Sequence, residues 1–459
     1  MMKPYDTIII GFGKCGKTLA GALGNAGRRV AVVEQSAEMY GGTCINVGCI
    51  PSKSLVNSAG QSALQGGSFA EKAKRYALAI VEKQRLTGML REKNYQKLAN
   101  HPHIDVITGK ASFTGPRRVR IETGEGAYEL EARQFLINTG SRPFVPDIPG
   151  LKESGRAYVS ETLLNLERLP ERLVIIGGGY IGLEFASIYA NFGSAVTVVQ
   201  DGPDFLPRED REIAQTVLES LRARGVEVLP GVKVESVAAG GQSDMLTLKT
   251  PDGVRTLEAE AILVATGRRP NTQGLHLEAA GVALNERGAV QTDTFLRTTA
   301  PDIWAAGDVA GGLQFTYISL DDFRIIKDQM LGEGARTTQN RGAVPYSVFL
   351  DPPFSRVGLS EQQAREQGFE VKIARLPATA VPKAQVLRQT TGLLKAVVDA
   401  KTDEVLGAHL FCAESHELIN LFKLAIDAHL PYPVLRDAIY THPTMSEALN
   451  DLFASLVCG

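Results

Sequence analysis

The chain has 459 residues, 44% apolar and 22% charged, with a formal net charge of −2. That length exceeds one small module and points to about three domains of roughly 100 to 200 residues, each able to bury its own core. The balanced charge offers no basic stripe, which argues against nucleic acid as a partner and leaves small molecules.

The first apolar run, Thr7 to Ile10, stops at a glycine turn. It is too short for a signal h-region or a membrane span, so a cytoplasmic protein with no membrane partner is expected. Five cysteines, an odd number, then argue against a structural disulfide framework, and any disulfide among them is expected to be catalytic.

The run Ile8-Ile9-Ile10 leads into Gly11-Phe12-Gly13-Lys14-Cys15-Gly16, a strand, a G-x-G-x-x-G turn and a helix. Gly11 permits the tight turn, Gly13 lets backbone approach a pyrophosphate, and Gly16 allows close helix packing. Glu34 ends the next strand, Arg29 to Val33, where a carboxylate would bond a ribose hydroxyl.

Next comes Gly41-Gly42-Thr43-Cys44-Ile45-Asn46-Val47-Gly48-Cys49-Ile50-Pro51-Ser52-Lys53. In a regular helix residues five apart point in different directions, so a Cys44–Cys49 bridge would need a distorted first turn. Gly48 and Pro51 are expected to supply it. Two small core residues or a metal pair are the competing readings, although zinc usually wants four ligands and no second cysteine pair exists.

The pattern restarts at Arg172. Leu173 to Ile176 precede Gly177-Gly178-Gly179-Tyr180-Ile181-Gly182, which opens a helix through Glu184. Two dinucleotide sites in one chain fit a flavin and a nicotinamide. At the second strand end stands Gln200, with Asp201 beside it and no Arg before Arg208. A carboxylate would favour the free ribose and an Arg the 2′-phosphate, so these residues declare for neither NADH nor NADPH.

The runs Phe135 to Asn138 and Ala261 to Ala265 end in matching turns, Thr139-Gly140 and Thr266-Gly267, each followed by Arg and Pro. They are expected to close the two units. After about Arg341 the texture changes to β-rich runs, Tyr346 to Phe349 and Leu393 to Val398, then a helix-rich tail from Glu414. The expected class is α/β, with two Rossmann-like dinucleotide-binding domains and a C-terminal α+β domain. The expected division is 1–148 (first part of the FAD domain), 149–268 (nicotinamide domain), 269–340 (return to the FAD domain) and 341–459 (third domain).

G-G-T-C-x-N-x-G-C-x-P-S-K, with Ala265-Thr266-Gly267-Arg268-Arg269-Pro270-Asn271, Ala306-Gly307-Asp308 and His442-Pro443-Thr444-Met445-Ser446-Glu447 in order, resembles the class I pyridine nucleotide-disulfide oxidoreductases. That is the family of lipoamide dehydrogenase, glutathione reductase and mercuric reductase. Tyr317-Ile318-Ser319-Leu320-Asp321-Asp322 and Leu331-Gly332-Glu333-Gly334 are similar to its bacterial reactive-chlorine-resistance branch, associated with oxidant defence and copper(II) reduction.

The resemblance implies FAD, NADH or NADPH, a homodimer, and a redox-active Cys44–Cys49 disulfide. Cys49 would face the flavin as the charge-transfer thiol, and Cys44 would attack substrate. Lys53 would place its ammonium near the flavin and pair with Glu184, while Asp308 would accept from a ribityl hydroxyl. Gly42, Thr43, Thr139, Gly140, Gly267, Arg268 and Gly307 belong to the cofactor motifs. His442, backed by Glu447, would reach the disulfide from the other subunit as the base that takes and returns a proton, a task suited to imidazole.

Cys15, Cys412 and Cys458 read as packing or tail residues. Mercuric reductases carry a vicinal cysteine pair where this chain has Cys458 alone, and they lack the histidine kept here as His442. Both departures count against mercury. Tyr440 stands where lipoamide dehydrogenase usually has a second histidine, which counts against lipoamide. His101 and His103 flank Pro102 in a loop expected to be a solvated turn. The acceptor is left as a small molecule or metal ion; the enzymatic alternative is a dihydrolipoamide dehydrogenase-type disulfide reductase, and the non-enzyme alternative is a flavin redox sensor with a switch disulfide.

Overall fold

The structure is a computed structural model that describes residues 4–456. Strand Tyr5–Ile10 is buried along most of its length, as expected of a parallel strand covered on both faces. It pairs in parallel with Val30–Glu34 on one side and with Gly126–Ile137 on the other. Ile104–Thr108 extends the sheet at one edge, and Ile303–Ala305 pairs in parallel with Gly126–Ile137.

The return strand Ile303–Ala305 brings the segment after residue 269 back to the first sheet. The short run Phe135 to Asn138 overlaps the end of the 12-residue strand Gly126–Ile137, whose first half joins an antiparallel meander with Arg118–Thr123 and Lys110–Gly115.

The second sheet is wholly parallel, in the order Glu227–Leu229, Ala195–Val199, Arg172–Ile176, Ala261–Val264, Ala157–Val159. The matched ends after the two Thr-Gly turns meet one another: Arg268–Pro270 pairs antiparallel with Ser141–Pro143. A further meander, Lys233–Ala238, Asp244–Thr250 and Gly253–Ala259, lies beside this unit.

The C-terminal part is an antiparallel sheet in the order Tyr346–Val348, Phe354–Gly358, Val405–Phe411, Leu393–Asp399, Val371–Pro377. Helices Ser415–Asp427 and Ala448–Ala454 pack on it around Phe422 and Phe453. Among the described residues, no helix is long and apolar enough to cross a membrane. Cys458 lies outside the described residues.

Candidate active site

A cavity of about 2410 Å³ runs from Glu34 past Gly11–Gly13 and Gly42 to Cys44 and Cys49, and on to Asp308, Lys53 and Glu184. Its narrow end is walled by backbone. Gly11 has φ 102°, and a side chain there would stand 2.3 Å from Asn138 O. One at Gly42 would press on Gly13 Cα at 2.9 Å, and one at Gly16 on Gly11 O at 2.7 Å. These contacts are with the protein's own backbone and hold the turn close-packed, while Gly11, Gly13 and Gly42 face the cavity without side chains, as a turn that receives a pyrophosphate requires. Glu34 stands at its end, holding the Phe12 and Ser36 N–H groups at 3.0 and 3.3 Å. Burial raises its carboxyl above the usual range, and those two donors oppose the shift.

Sequence reasoning missed Asn138. Its Oδ1 accepts from Gly16 N at 2.9 Å, and its Nδ2 donates to Ala306 O at 2.7 Å. It thus ties the glycine turn to the Ala306-Gly307-Asp308 segment. Asp322 completes that join by accepting from Gly307 N at 2.8 Å. Asp308 faces the cavity and accepts from Ser141 Oγ at 2.6 Å; Arg268 Nε donates to the same hydroxyl at 2.8 Å. Arg268 also donates to Ser141 O and Glu161, so it clamps the two units together as well as lining the cavity. Thr139 and Gly140 line the same wall.

Asn138→Ala leaves a buried N–H and a buried carbonyl unpaired. We expect it to cost about 2–6 kcal/mol, since each of the two orphaned buried groups costs roughly 1–3 kcal/mol. Urea denaturation should show a lower midpoint, and flavin retention on gel filtration should fall.

The redox motif is two helices rather than one. Thr43–Asn46 stops, Val47 and Gly48 intervene, and Cys49–Gln65 begins. Gly48 makes the break with φ −129° and ψ −113°. Pro51 sits within the first turn of the second helix, where its missing N–H needs no partner, and so contributes no distortion.

The break leaves Cys44 and Cys49 as free thiols facing the same cavity. Cys49 is the acceptor: the hydrogen bond from Cys44 lowers its pKa to about 6, with Thr316 and the Lys53 charge acting in the same direction against burial. Thr316 Oγ1 lies 3.4 Å from Cys49 Sγ. Cys44 is shifted the opposite way, chiefly because it holds the shared proton. Cys15 is fully buried, and burial raises its thiol well above the ordinary value, which leaves it inert.

Lys53 Nζ donates to Glu184 Oε2 at 2.7 Å, and Glu184 Oε1 accepts from Phe349 N at 2.9 Å. The ammonium also stands 4.6 Å from the centre of the Phe349 ring. Tyr180 and Ile181 line this part of the cavity. Tyr180 OH bonds the buried Glu209, which also accepts from Tyr346 OH at 2.7 Å and Arg356 Nη1 at 3.3 Å.

Gly177, Gly179, Gly182 and Gln200 stand behind the wall. Gly177 has φ 115°, and a side chain at Gly182 would stand 2.1 Å from Gly177 O. Gly179 caps helix Tyr180–Phe192. Gln200 turns its amide into its own loop, donating to Gly202 O at 2.8 Å and Asp204 O at 2.9 Å. Arg208 does face the cavity. Gly267, with φ 116°, precedes the Arg268 clamp.

His442 and Glu447 come together at the other end of the chain. His442 Nδ1 donates to Glu447 Oε2 at 2.7 Å, which leaves Nε2 free to accept a proton. The imidazole is 70% exposed, and neither residue lines the cavity of its own chain. His101 bonds Asn25 Oδ1 at 3.1 Å at the surface. Among the described residues, no cluster of three or more His, Cys, Asp or Glu side chains could hold a metal.

Residues 5–322 match the family model described as "Pyridine nucleotide-disulphide oxidoreductase", and residues 344–453 match its dimerisation domain, which indicates a homodimer. The chain is 50% identical over 453 residues to "Probable pyridine nucleotide-disulfide oxidoreductase RclA" of Escherichia coli, covering 99% of each. It is 35% identical over 453 residues to the mercuric reductase of Staphylococcus aureus, covering 97% of this chain and 81% of that one. A solved structure, "Cu(II) complex of HOCl-induced flavoprotein disulfide reductase RclA from Escherichia coli", superposes with a TM-score of 0.93 at 50% identity, covering 99% of both chains. With both halves matched in order, the chain belongs to the pyridine nucleotide-disulfide oxidoreductases, a family of enzymes that depend on FAD and a pyridine nucleotide.

Proposed function

We propose that this enzyme takes electrons from NADH or NADPH and passes them through Cys44 and Cys49 to a small-molecule or metal-ion acceptor, with copper(II) foremost. The observation that carries the reading is that one cavity brings Cys44 and Cys49 together with the glycine turns and the Lys53–Glu184 pair, 2.7 Å apart. The Thr316 hydroxyl at 3.4 Å and the Lys53 charge both favour a thiolate at Cys49. Copper(II) is favoured because the Escherichia coli relative is described as a Cu(II) complex, and HOCl induction of that relative supports a setting in reactive-chlorine defence in the cytoplasm.

Residues 1–148 and 269–340 form the FAD unit, 149–268 the nicotinamide unit, and 341–459 the dimer interface. FAD bound here would relay two electrons between nicotinamide and sulfur. Gly11, Gly13, Gly16, Gly42 and Thr43 would make room for its phosphates, and Glu34 and Asp308 would accept from its hydroxyls. Lys53 supplies positive charge beside Cys49, and Glu184 holds Lys53 in place. Cys44 is the outer thiol, and His442 with Glu447 serves the cleft of the partner subunit.

Discrimination between the nicotinamides is expected to be modest. Gln200 has its amide occupied by Gly202 and Asp204 and carries no charge to repel or attract a 2′-phosphate, although Asp201 tilts the site toward NADH. We expect kcat/KM for NADH and NADPH to differ by less than roughly a hundredfold, about 2.7 kcal/mol. A larger ratio in favour of NADPH would make Arg208 the reader of the phosphate.

A steady-state screen of copper(II), mercury(II), quinones, lipoamide and glutathione disulfide tests the acceptor. Sustained turnover with copper(II) is expected. Consumption of a single equivalent of NADH with every acceptor would identify a sensor instead.

A further inference from the structure

The segment Arg208-Glu209-Asp210 of the second parallel-sheet unit is docked onto the C-terminal sheet at three consecutive residues. Arg356 Nη1 donates to Arg208 O at 2.7 Å, and Lys395 Nζ donates to Asp210 Oδ2 at 2.9 Å. Between them, Glu209 is held by both Arg356 and Tyr346. These two stand directly opposite one another on the antiparallel strands Tyr346–Val348 and Phe354–Gly358, so they reach the same carboxylate from one face.

Glu209 is the centre of the join. Its side chain is fully buried and takes no part in the cavity wall. Oε1 accepts from the hydroxyls of Tyr180 and Tyr346, the second at 2.7 Å, and Oε2 accepts from Arg356 at 3.3 Å. A buried carboxylate is costly without such donors, so its position and theirs are fixed together. Burial first, and then the Glu209 charge, raise the Tyr180 hydroxyl to about 12 and move Tyr346 the same way, which keeps both as donors.

Tyr180 follows directly on the Gly177-Gly178-Gly179 turn, and Glu184 stands one helical turn later on the same face. The segment Tyr346 to Phe349 holds both of them. Tyr346 reaches Tyr180 through Glu209, and Phe349 N donates to Glu184 Oε1 at 2.9 Å. The rings pack in succession, Tyr180 on Tyr346 at 5.6 Å and Tyr346 on Phe315 at 5.8 Å, and all three line the cavity together with Arg208.

We propose that Glu209 is a positioning residue for the pyridine nucleotide: gripped by the C-terminal sheet, it fixes Tyr180 and brings Arg208 to the cavity, where both bind the dinucleotide. This rests on the proposed hydride donor and adds the residue that sets its affinity. Glu209 touches no ligand, so its loss weakens the seating of NADH and NADPH alike and leaves hydride transfer from a seated nucleotide little changed.

The test is stopped-flow reduction of the flavin-loaded protein over a range of NADH and of NADPH concentrations, which yields a dissociation constant and a limiting rate for each. Glu209→Gln keeps the size but loses the charge that Arg356 and two hydroxyls share. Both dissociation constants should rise roughly tenfold, the worth of one charged hydrogen bond, with limiting rates within about twofold of wild type. Tyr346→Phe removes one donor and should raise both constants about threefold in the wild type but not in Glu209→Gln, because the hydroxyl acts through the carboxylate.

Unchanged dissociation constants in Glu209→Gln would overturn the proposal. So would a fall in limiting rate at constant affinity, or a Tyr346→Phe effect of full size in the Gln background. If Glu209→Gln loses its flavin, Tyr346→Phe alone decides: weaker binding of both nucleotides supports the proposal, and unchanged binding overturns it. A wild type that neither nucleotide reduces would instead overturn the proposed hydride donor, a failure visible before any variant is made.

Discussion

His442→Ala is expected to lose disulfide turnover by about 10² to 10⁴-fold, the usual worth of a positioned acid-base group. Attack on a disulfide needs a proton removed from the incoming thiol and another given to the departing sulfur. His442 suits both steps: Glu447 holds its Nδ1 at 2.7 Å and leaves Nε2 open, and the imidazole projects from its own chain.

Copper(II) reduction asks less of such a base, because electrons can pass to a thiolate-bound metal without protonating a leaving sulfur. The variant should therefore keep most copper(II) turnover and normal flavin reduction by NADH, which the proposed function puts beside Lys53 and Glu184. Stopped-flow flavin reduction and steady-state rates with both acceptors separate these cases. Surviving disulfide turnover would remove His442 from its role, and collapse of copper turnover would remove the distinction between acceptors.

The second large effect concerns the sulfurs themselves. Cys44→Ser and Cys49→Ser should each lower turnover by about 10³-fold or more, and the double variant should be no worse than either single one, since residues that act as a unit are grossly non-additive. Both sulfurs face the same cavity, on either side of the Val47-Gly48 break, as members of such a unit must. Additive losses would mean that the two cysteines serve separate routes.

Features of this site that depend on local sequence were legible, and those that depend on long-range contact were not. Strand, glycine turn and helix follow one another at residues 5–25, so Gly11, Gly13 and Gly16 could be read directly. The same holds for the five-residue spacing of His442 and Glu447. Asn138 reaches Gly16 across 122 positions, and Thr316 reaches Cys49 across 267, with no motif to announce either.

Gln200 was visible as a missing acid, but its folding back onto Gly202 and Asp204 was not. The 31-residue helix Phe69–Ala99 carries a local start signal, the capping box of Ser68 and Glu71. In the meander after Lys233 the first two strands carry the alternation of a half-buried strand, whereas Gly253–Ala259 is exposed along most of its length and gives no such signal.

The central claim is that Cys49 is the thiolate against the flavin and Cys44 its partner. The most direct measurement is the long-wavelength charge-transfer absorption of the flavin-loaded protein as pH is lowered. Cys44→Ser should show the band without any reductant, wild type only after partial reduction, and Cys49→Ser under neither condition. Because the Cys49 thiol is lowered from 9.0 to about 6, the thiolate exists above that value, and the wild-type band should fade as pH drops through about 6. A band that persists in Cys49→Ser, or that is lost on going below the ordinary thiol range near 9, would contradict the account.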